Sequence, residues 1–292
     1  MPEYKIQNNS VSTLINFEDD FLSESNFLFV KNKIYELAGI KLSDNKKNLV
    51  INRILKRQKV LEFESGNEYI ENLKKLNNKD PEWEFFINIL TTNKTFFFRE
   101  MDHFEFLLNN VIPEFKFDKS KTLKIWCAAS STGEEPYSIQ LFLDHYLPHK
   151  NYLLYASDID SDCLETAKNA VYPISQLNEI PDKFKNKISK GTLEIDQWFK
   201  IKERNINFFQ FNLISDLKSY NKIPENLDVI FCRNVFIYFN QNTIKEIALK
   251  MFTRLSEEGI FIISLTESLP KDFVEFNLIG NSIYQKNKLK IK

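Results

Sequence analysis

TLKIWCAASSTGEEPYSIQLFLDHYLPHKNYLLYASDID, residues 122–160, is the stretch whose reading decides the fold. Leu123–Cys127 is apolar and suits a buried parallel strand. Ala128–Thr132 is small and polar and suits a tight turn. From Glu134 the apolar spacing becomes helical, with Tyr137, Leu141 and His145 beside Ile139 and Phe142. Tyr152–Ala156 is apolar again and runs into Asp158. The pattern is strand, turn, helix, strand, acid. In an open α/β sheet ligands sit beyond the carboxyl ends of the strands, so Ala128–Glu135 and Asp158 fall on one rim of one crevice.

The turn lacks a Gly-x-Gly-x-x-Gly fingerprint, since its only glycine is Gly133. Glu134 and Glu135 stand where a pyrophosphate needs helix N–H groups and no acid, which argues against a dinucleotide. Asp158 is placed to accept two hydrogen bonds from a ribose diol. A ligand with a ribose and a positive charge fits both features, and S-adenosylmethionine (SAM) carries both. The same residues also fit a plainer reading, in which the glutamates favour a helix N-terminus and Asp158 caps the next helix.

A chain of 292 residues with 43% hydrophobic content has room for two modest domains and a sizeable core. The 27 phenylalanines make that core aromatic-rich. A net charge of −1 provides no global basic field for nucleic acid. Cys127, Cys163 and Cys232 have no metal-ligand spacing, so no metal is expected. Cys127 and Cys232 fall in apolar strands, as small hydrophobes in a reducing cytoplasm would. No apolar run reaches transmembrane length and MPEYKIQNNS does not read as a signal peptide, so a cytoplasmic protein without membrane insertion is expected.

Residues 1–22 read as a loose extension and 23–112 as a helical domain. Phe27, Val30, Ile34 and Leu37 keep helical spacing, with Gly39 placed to end that helix. Ser43 or Asp44 is a candidate cap for a helix from Lys46 to Val60, with Val50, Ile51, Ile54 and Leu55 as its buried stripe. Lys46, Arg53, Lys56 and Arg57 gather on other faces of that helix, and no acid occurs between Lys46 and Lys59. Such a run is commonly a solvated face, or else a docking surface for an acidic partner. Tyr69–Leu76 reads as a third helix, and Asp80-Pro81 as cap and first residue of a fourth, with Trp83, Phe86, Ile87 and Leu90 inward. In TTNKTFFFRE, residues 91–100, the three phenylalanines are expected to bury among the polar Asn93, Thr95 and Arg99. Phe104, Leu107 and Leu108 mark another short helix, and residues 113–121 read as a linker.

The remainder, 122–292, reads as one α/β domain with a β subdomain at about 189–210. A helix is expected over Ser161–Ala170, ended by Pro173, and another over Glu179–Ile188. Trp198–Glu203 and Ile206–Phe211 read as an antiparallel hairpin. Asp228–Cys232 reads as a buried parallel strand before RNVFIYF, residues 233–239. A helix over Thr243–Leu255, a strand over Ile260–Leu265 opened by Gly259, and a closing hairpin over Phe273–Tyr284 complete the chain.

TTNKTFFFRE, AASSTGEEPYS, ASDID, FNL and IFCRNVFIYF, in this order between Phe27 and Tyr284, resemble the CheR family of SAM-dependent glutamate O-methyltransferases acting on chemotaxis receptors. One departure is Ser264-Leu265-Thr266-Glu267, where the family usually reads Gly-His-Ser-Glu. The resemblance implies a SAM-methyltransferase-type doubly wound sheet with a small N-terminal all-helical domain and an antiparallel β-hairpin insertion. It implies that Asn93, Thr95 and Arg99 contact the methionyl end of SAM and the acceptor, and that Glu135, with Glu134 nearby, lies near the charged end. Asp158 would hold the ribose, Asn212 and Leu213 would frame the adenine, and Arg233 and Asn234 would line the crevice. Arg99 and Tyr238 would position the substrate carboxylate. Tyr238 also fits a core aromatic at the sheet edge.

The reaction suits this set of residues. A glutamate is already ionised at pH 7 and needs no general base. Both reacting charges are lost in the transfer, so a dry site that aligns the pair helps. The expected product is S-adenosylhomocysteine, the expected partners are the helical bundles of methyl-accepting receptors, and a monomer is expected. The alternatives are a non-catalytic SAM-binding regulatory module and a methyltransferase for another protein or a small acid.

Overall fold

The computed structural model describes residues 21–118, 120–192, 197–202, 205–270 and 272–287. The expected extension before Phe21 lies outside them, as does Glu203. The chain divides into two units, Met1–Lys33 with Ser43–Asp80, and Ile34–Leu42 with Pro81–Lys292.

The first unit takes the N-terminal part of α1 (Glu24–Ala38), then α2 (Lys47–Val60) and α3 (Gly66–Leu73). Val50, Ile51 and Ile54 are buried on α2 as expected, but the stripe continues to Gln58 while Leu55 is half-buried. Neither Ser43 nor Asp44 caps α2: Asp44–Lys46 forms a 3₁₀ turn instead, so Lys46 stands before the helix. Asp44 is drawn to Lys31, while Lys47 pairs with Glu24, both at 2.5 Å. α3 begins earlier than expected because Ser65 caps it, accepting from the Glu68 N–H at 3.1 Å.

The second unit holds α4 (Glu82–Leu90), α5 (Met101–Asn110) and α6 (Ile112–Phe117), followed by β1 (Leu123–Cys127), α7 (Glu134–Tyr146), β2 (Tyr152–Asp158) and α8 (Ser161–Asn169). β3 (Val171–Pro173), β4 (Ile188–Lys190), β5 (Trp198–Ile201), β6 (Ile206–Gln210) and β7 (Leu227–Phe231) come next. α9 (Gln241–Phe252), β8 (Leu255–Ile262), β9 (Phe276–Gly280) and β10 (Ile283–Lys286) close the unit. The main sheet has the order β6-β2-β1-β7-β8-β10-β9, with β9 and β10 entering antiparallel. Its β1 lies between β2 and β7, so the winding reverses there and leaves a crevice at the carboxyl ends of β1 and β7.

Side chains alternate across β1. Leu123, Ile125 and Cys127 join one core with α5, α6 and α7, while Trp126 and Ala128 join a second core that includes α9. Phe97 and Phe98 anchor residues 91–100 in the first core. Phe98 stacks on Phe184 with ring centroids 4.8 Å apart, and its N–H donates to Ser138 Oγ at 2.8 Å. Phe96 does not bury with them; it stays 37% exposed beneath the Arg99 guanidinium, 5.1 Å from the ring centroid.

Several local expectations differ from the structure. Pro81 is the N-cap of α4 rather than its first residue, with no side-chain cap, and Ile87 and Leu108 are only half-buried. Ile112–Phe117 is a helix at the start of the stretch read as a linker, with Ile112 and Phe115 in the first core. α8 ends at Ala170 in the left-handed region (φ 55°) before Pro173, which belongs to β3. The helix expected over 179–188 is replaced by 3₁₀ turns at Ile174–Glu179 and Asp182–Lys187. Gly259 lies inside β8 at a register shift against β7, where a Cβ would meet Leu255 at 2.8 Å.

The antiparallel insertion is real but built from other strands than expected. β5 pairs with both β3 and β4 in a separate three-stranded sheet. β6 leaves that sheet and runs parallel to β2 at the edge of the main one. Tyr172 and Phe199 of the insertion pack with Phe97, at 5.0 and 5.8 Å between centroids, so the small sheet shares the first core.

Candidate active site

The turn after β1 is shaped by backbone conformations few residues adopt. Gly133, the N-cap of α7, has φ 100°, and a Cβ there would lie 2.7 Å from Tyr172 Oη and 2.8 Å from Ala167 Cβ. Ser131 is left-handed (φ 48°), which turns its N–H onto Asp158 Oδ2 at 2.7 Å. The other oxygen of Asp158 accepts the Asp160 N–H at 3.0 Å. Asp158 is buried, and that burial pushes its carboxyl up to about 6. Each oxygen retains a further lone pair after these bonds.

Asp160 fixes the neighbouring loop. One oxygen caps α8 through the N–H groups of Asp162 and Cys163, at 3.0 and 3.1 Å. The other accepts from Thr91 Oγ1 at 2.7 Å and Asn93 Nδ2 at 2.6 Å. Ser131 Oγ donates to the Asn93 carbonyl at 2.9 Å. Asn93 is thereby brought to the Asp158 rim, with its neighbour Thr95 half-buried on the same loop.

Beyond β7, the Arg233 side chain is wholly buried and lies 3.0 Å from Glu100 Oε2 and 3.5 Å from Glu135 Oε1. Burial pushes the Glu135 carboxyl up, and Arg233 only partly opposes it. Burial acts the same way on Glu100, but Arg233 and the Ser264 hydroxyl together hold that carboxyl below its ordinary range. Asn234 is left-handed (φ 58°), and its Nδ2 donates to Ser264 Oγ at 2.7 Å. Ser264, at the departure from the usual family residues, in turn donates to Glu100 Oε1 at 2.7 Å.

Tyr238 ends a 3₁₀ turn, Phe236–Tyr238, held by Glu267. The Glu267 carboxylate accepts the N–H groups of Ser264, Asn234 and Ile237 at 2.9, 3.0 and 3.2 Å. Tyr238 is half-buried, with its hydroxyl 3.4 Å from the Thr92 carbonyl. The Arg99 guanidinium lies within 3.4 Å of the Lys94 carbonyl. Both residues expected to hold a substrate carboxylate therefore engage the 91–100 loop that also carries Asn93.

Other expected site residues have separate attachments. Glu134 turns away from Arg233, accepting from Thr132 Oγ1 at 2.6 Å with Gln176 Nε2 at 3.4 Å, and burial pushes its carboxyl up. Asn212 donates to the Leu37 carbonyl at 2.7 Å and accepts the Ile214 N–H at 3.2 Å. The Leu213 side chain is buried in the second core. Arg53, Lys56 and Arg57 lie on α2 of the first unit, with Lys46 just before the helix. Reasoning from sequence missed Glu100, Asp160 and Glu267, which carry no ligand-like spacing. Thr266-Glu267-Ser268, following an apolar strand, was the one available signal.

The residues fit a SAM-type ligand. Glu135 Oε1 is buried with no hydrogen-bond partner, an acceptor suited to a cationic group. Asp158 retains acceptor capacity for a diol. Residues 25–91 match the CheR methyltransferase all-alpha domain, and residues 93–284 match the CheR methyltransferase SAM binding domain. The chain is 33% identical over 270 residues to the chemotaxis protein methyltransferase of Salmonella typhimurium, covering 91% of this chain and 92% of that protein. It is 34% identical over 270 residues to that of Escherichia coli, with the same coverage, and 32% identical over 265 residues to that of Borreliella burgdorferi, covering 87% and 91%. With both family domains matched in order and these relatives aligned over nearly the whole chain, the chain belongs to the CheR methyltransferase family.

Proposed function

We propose that the protein transfers a methyl group from SAM to glutamate side chains of chemotaxis receptors, giving glutamate methyl esters and S-adenosylhomocysteine, and that it does so in the cytoplasm as a monomer. The observation that carries this reading is the pairing of an acceptor-rich rim, Asp158 and Glu135, with a loop that bears Asn93 and Arg99 and is touched by Tyr238. The cofactor supplies an electrophilic methyl on a sulfonium. The chain's residues supply position: Asp158 the ribose, Glu135 the charged end, and Asn93, Thr95 and Arg99 the methionyl end. Glu134 supports the same helix terminus, Asn212 and Leu213 border the adenine, and Arg233 and Asn234 close the wall. The fork of Arg99 and the phenol of Tyr238 hold one acceptor oxygen and leave the other to react. No residue has to remove a proton, because the acceptor is ionised already.

Receptor recognition needs a local basic surface on a nearly neutral chain. Lys46, Arg53, Lys56 and Arg57 form that surface in this reading, with Lys56 exposed and the other three half-exposed. Rim charges act mainly on association rate, and their reach shortens from about 10 Å at 0.1 M salt to about 3 Å at 1 M. Arg53→Glu with Arg57→Glu is expected to slow receptor methylation at low salt and flatten its salt dependence, with SAM affinity intact. A methylation rate measured across a salt series beside a SAM titration checks this. A wild-type rate at low salt would mean that this helix is only a solvated face.

A further inference from the structure

Arg233 is shared unequally between two carboxylates. Its Nη2 and Nε lie 3.0 and 3.3 Å from Glu100 Oε2, and Nη2 also donates to the Arg99 carbonyl. Its Nη1 faces Glu135 Oε1 as a looser ion pair at 3.5 Å, and both atoms are buried with no hydrogen-bond partner. Glu100 is held in place from the other side by Ser264 Oγ at 2.7 Å and the Leu265 N–H at 3.2 Å. Its backbone is left-handed (φ 57°), a conformation that costs a non-glycine residue energy and persists where its surroundings hold it. A buried carboxylate oxygen with no donor is costly, and Nη1 is the nearest cationic group able to supply one.

We propose that Glu100 is a positioning residue for the cofactor site: by holding Arg233 it leaves one oxygen of Glu135 available to a cationic group of the ligand. This rests on the proposed role of Glu135 near the charged end of SAM. With Glu100 made neutral, Arg233 closes on Glu135, and the ligand then competes with an internal guanidinium for the same oxygen.

The test is calorimetric binding of S-adenosylhomocysteine to the full chain and to Glu100→Gln, Glu135→Gln and the double variant, with thermal melting as a check of folding. Each single substitution is expected to raise Kd about tenfold, the scale of one hydrogen bond to a charged group. The double variant is expected within about twofold of Glu135→Gln, because Glu100 acts only through Glu135. Glu100→Asp keeps the charge and is expected to bind within about threefold of wild type. Unchanged binding by Glu100→Gln beside a weakened Glu135→Gln overturns the role of Glu100. So does an equal tenfold loss from Glu100→Gln in the Glu135→Gln background, which is what a merely structural residue would give. Unchanged binding by Glu135→Gln alone removes the assignment of Glu135, and this proposal with it.

Discussion

Arg99→Ala is expected to lower kcat/KM for receptor methylation about 10²-fold, the scale of a misplaced reacting group. Arg99 holds its guanidinium over Phe96, beside a loop whose next residues, Phe97 and Phe98, are locked in the first core. The side chain is therefore carried on an anchored base while remaining 27% exposed. Arg99→Lys is expected to recover little, because a point charge does not reproduce the fork. Tyr238→Phe removes one donor and keeps the ring, so it is expected to lower turnover while leaving SAM affinity unchanged. Turnover of Tyr238→Phe equal to wild type at saturating SAM and receptor would make Tyr238 a packing aromatic. A wild-type kcat/KM for Arg99→Ala would remove Arg99 from the acceptor site.

Asp158→Ala is expected to weaken binding of SAM and S-adenosylhomocysteine by about 1.5–3 kcal/mol, the range for hydrogen bonds to a charged group. The ionised form is the one that accepts both ribose hydroxyls. Burial raises the Asp158 carboxyl from 3.8 to about 6, so the folded chain binds a proton there more readily than the unfolded chain does. Its contribution to stability is therefore full below about 4 and is lost as pH rises through about 6. Ligand affinity runs the opposite way. It should fall about tenfold between pH 7 and pH 5, as one group takes up a proton, and Asp158→Asn should remove that slope. Calorimetry with a folded Asp158→Ala protein that binds at wild-type affinity would contradict the ribose assignment.

How much of this was legible in the sequence depended on the range of the interactions involved. β1, α7 and β2 were readable because the apolar period changes sharply at Ala128–Glu134 and again at Tyr152. Gly39 was readable as a helix stop because its left-handed backbone (φ 72°) is a local property. The insertion was misread for the converse reason. β3 spans only Val171–Pro173, too short to display a period, and Ile206–Gln210 is an apolar run that fits a hairpin arm as well as a parallel edge strand. What decides its place is pairing with β2, a non-local fact. The charged layer under the site was hidden in the same way. Glu100 meets Arg233 across 133 residues of chain, and Glu267 reaches Asn234 across 33. Asp158 and Glu135 could be placed on the crevice rim from position alone, because a strand end and a helix start already dictate where they point. Glu100 and Glu267 could not, because their roles exist only once three strand ends have come together.

Methyl esterification of receptor glutamates is tested most directly by transfer of tritiated methyl from SAM to membranes carrying the organism's own chemotaxis receptors. The expected result is label on the receptor that mild alkali releases as volatile methanol, as hydrolysis of a carboxylate ester requires, and that disappears when the acceptor glutamates are replaced by alanine. Absence of label with a protein that binds SAM would make the chain a binding module, and alkali-resistant label would place the methyl group on an atom other than a carboxylate oxygen.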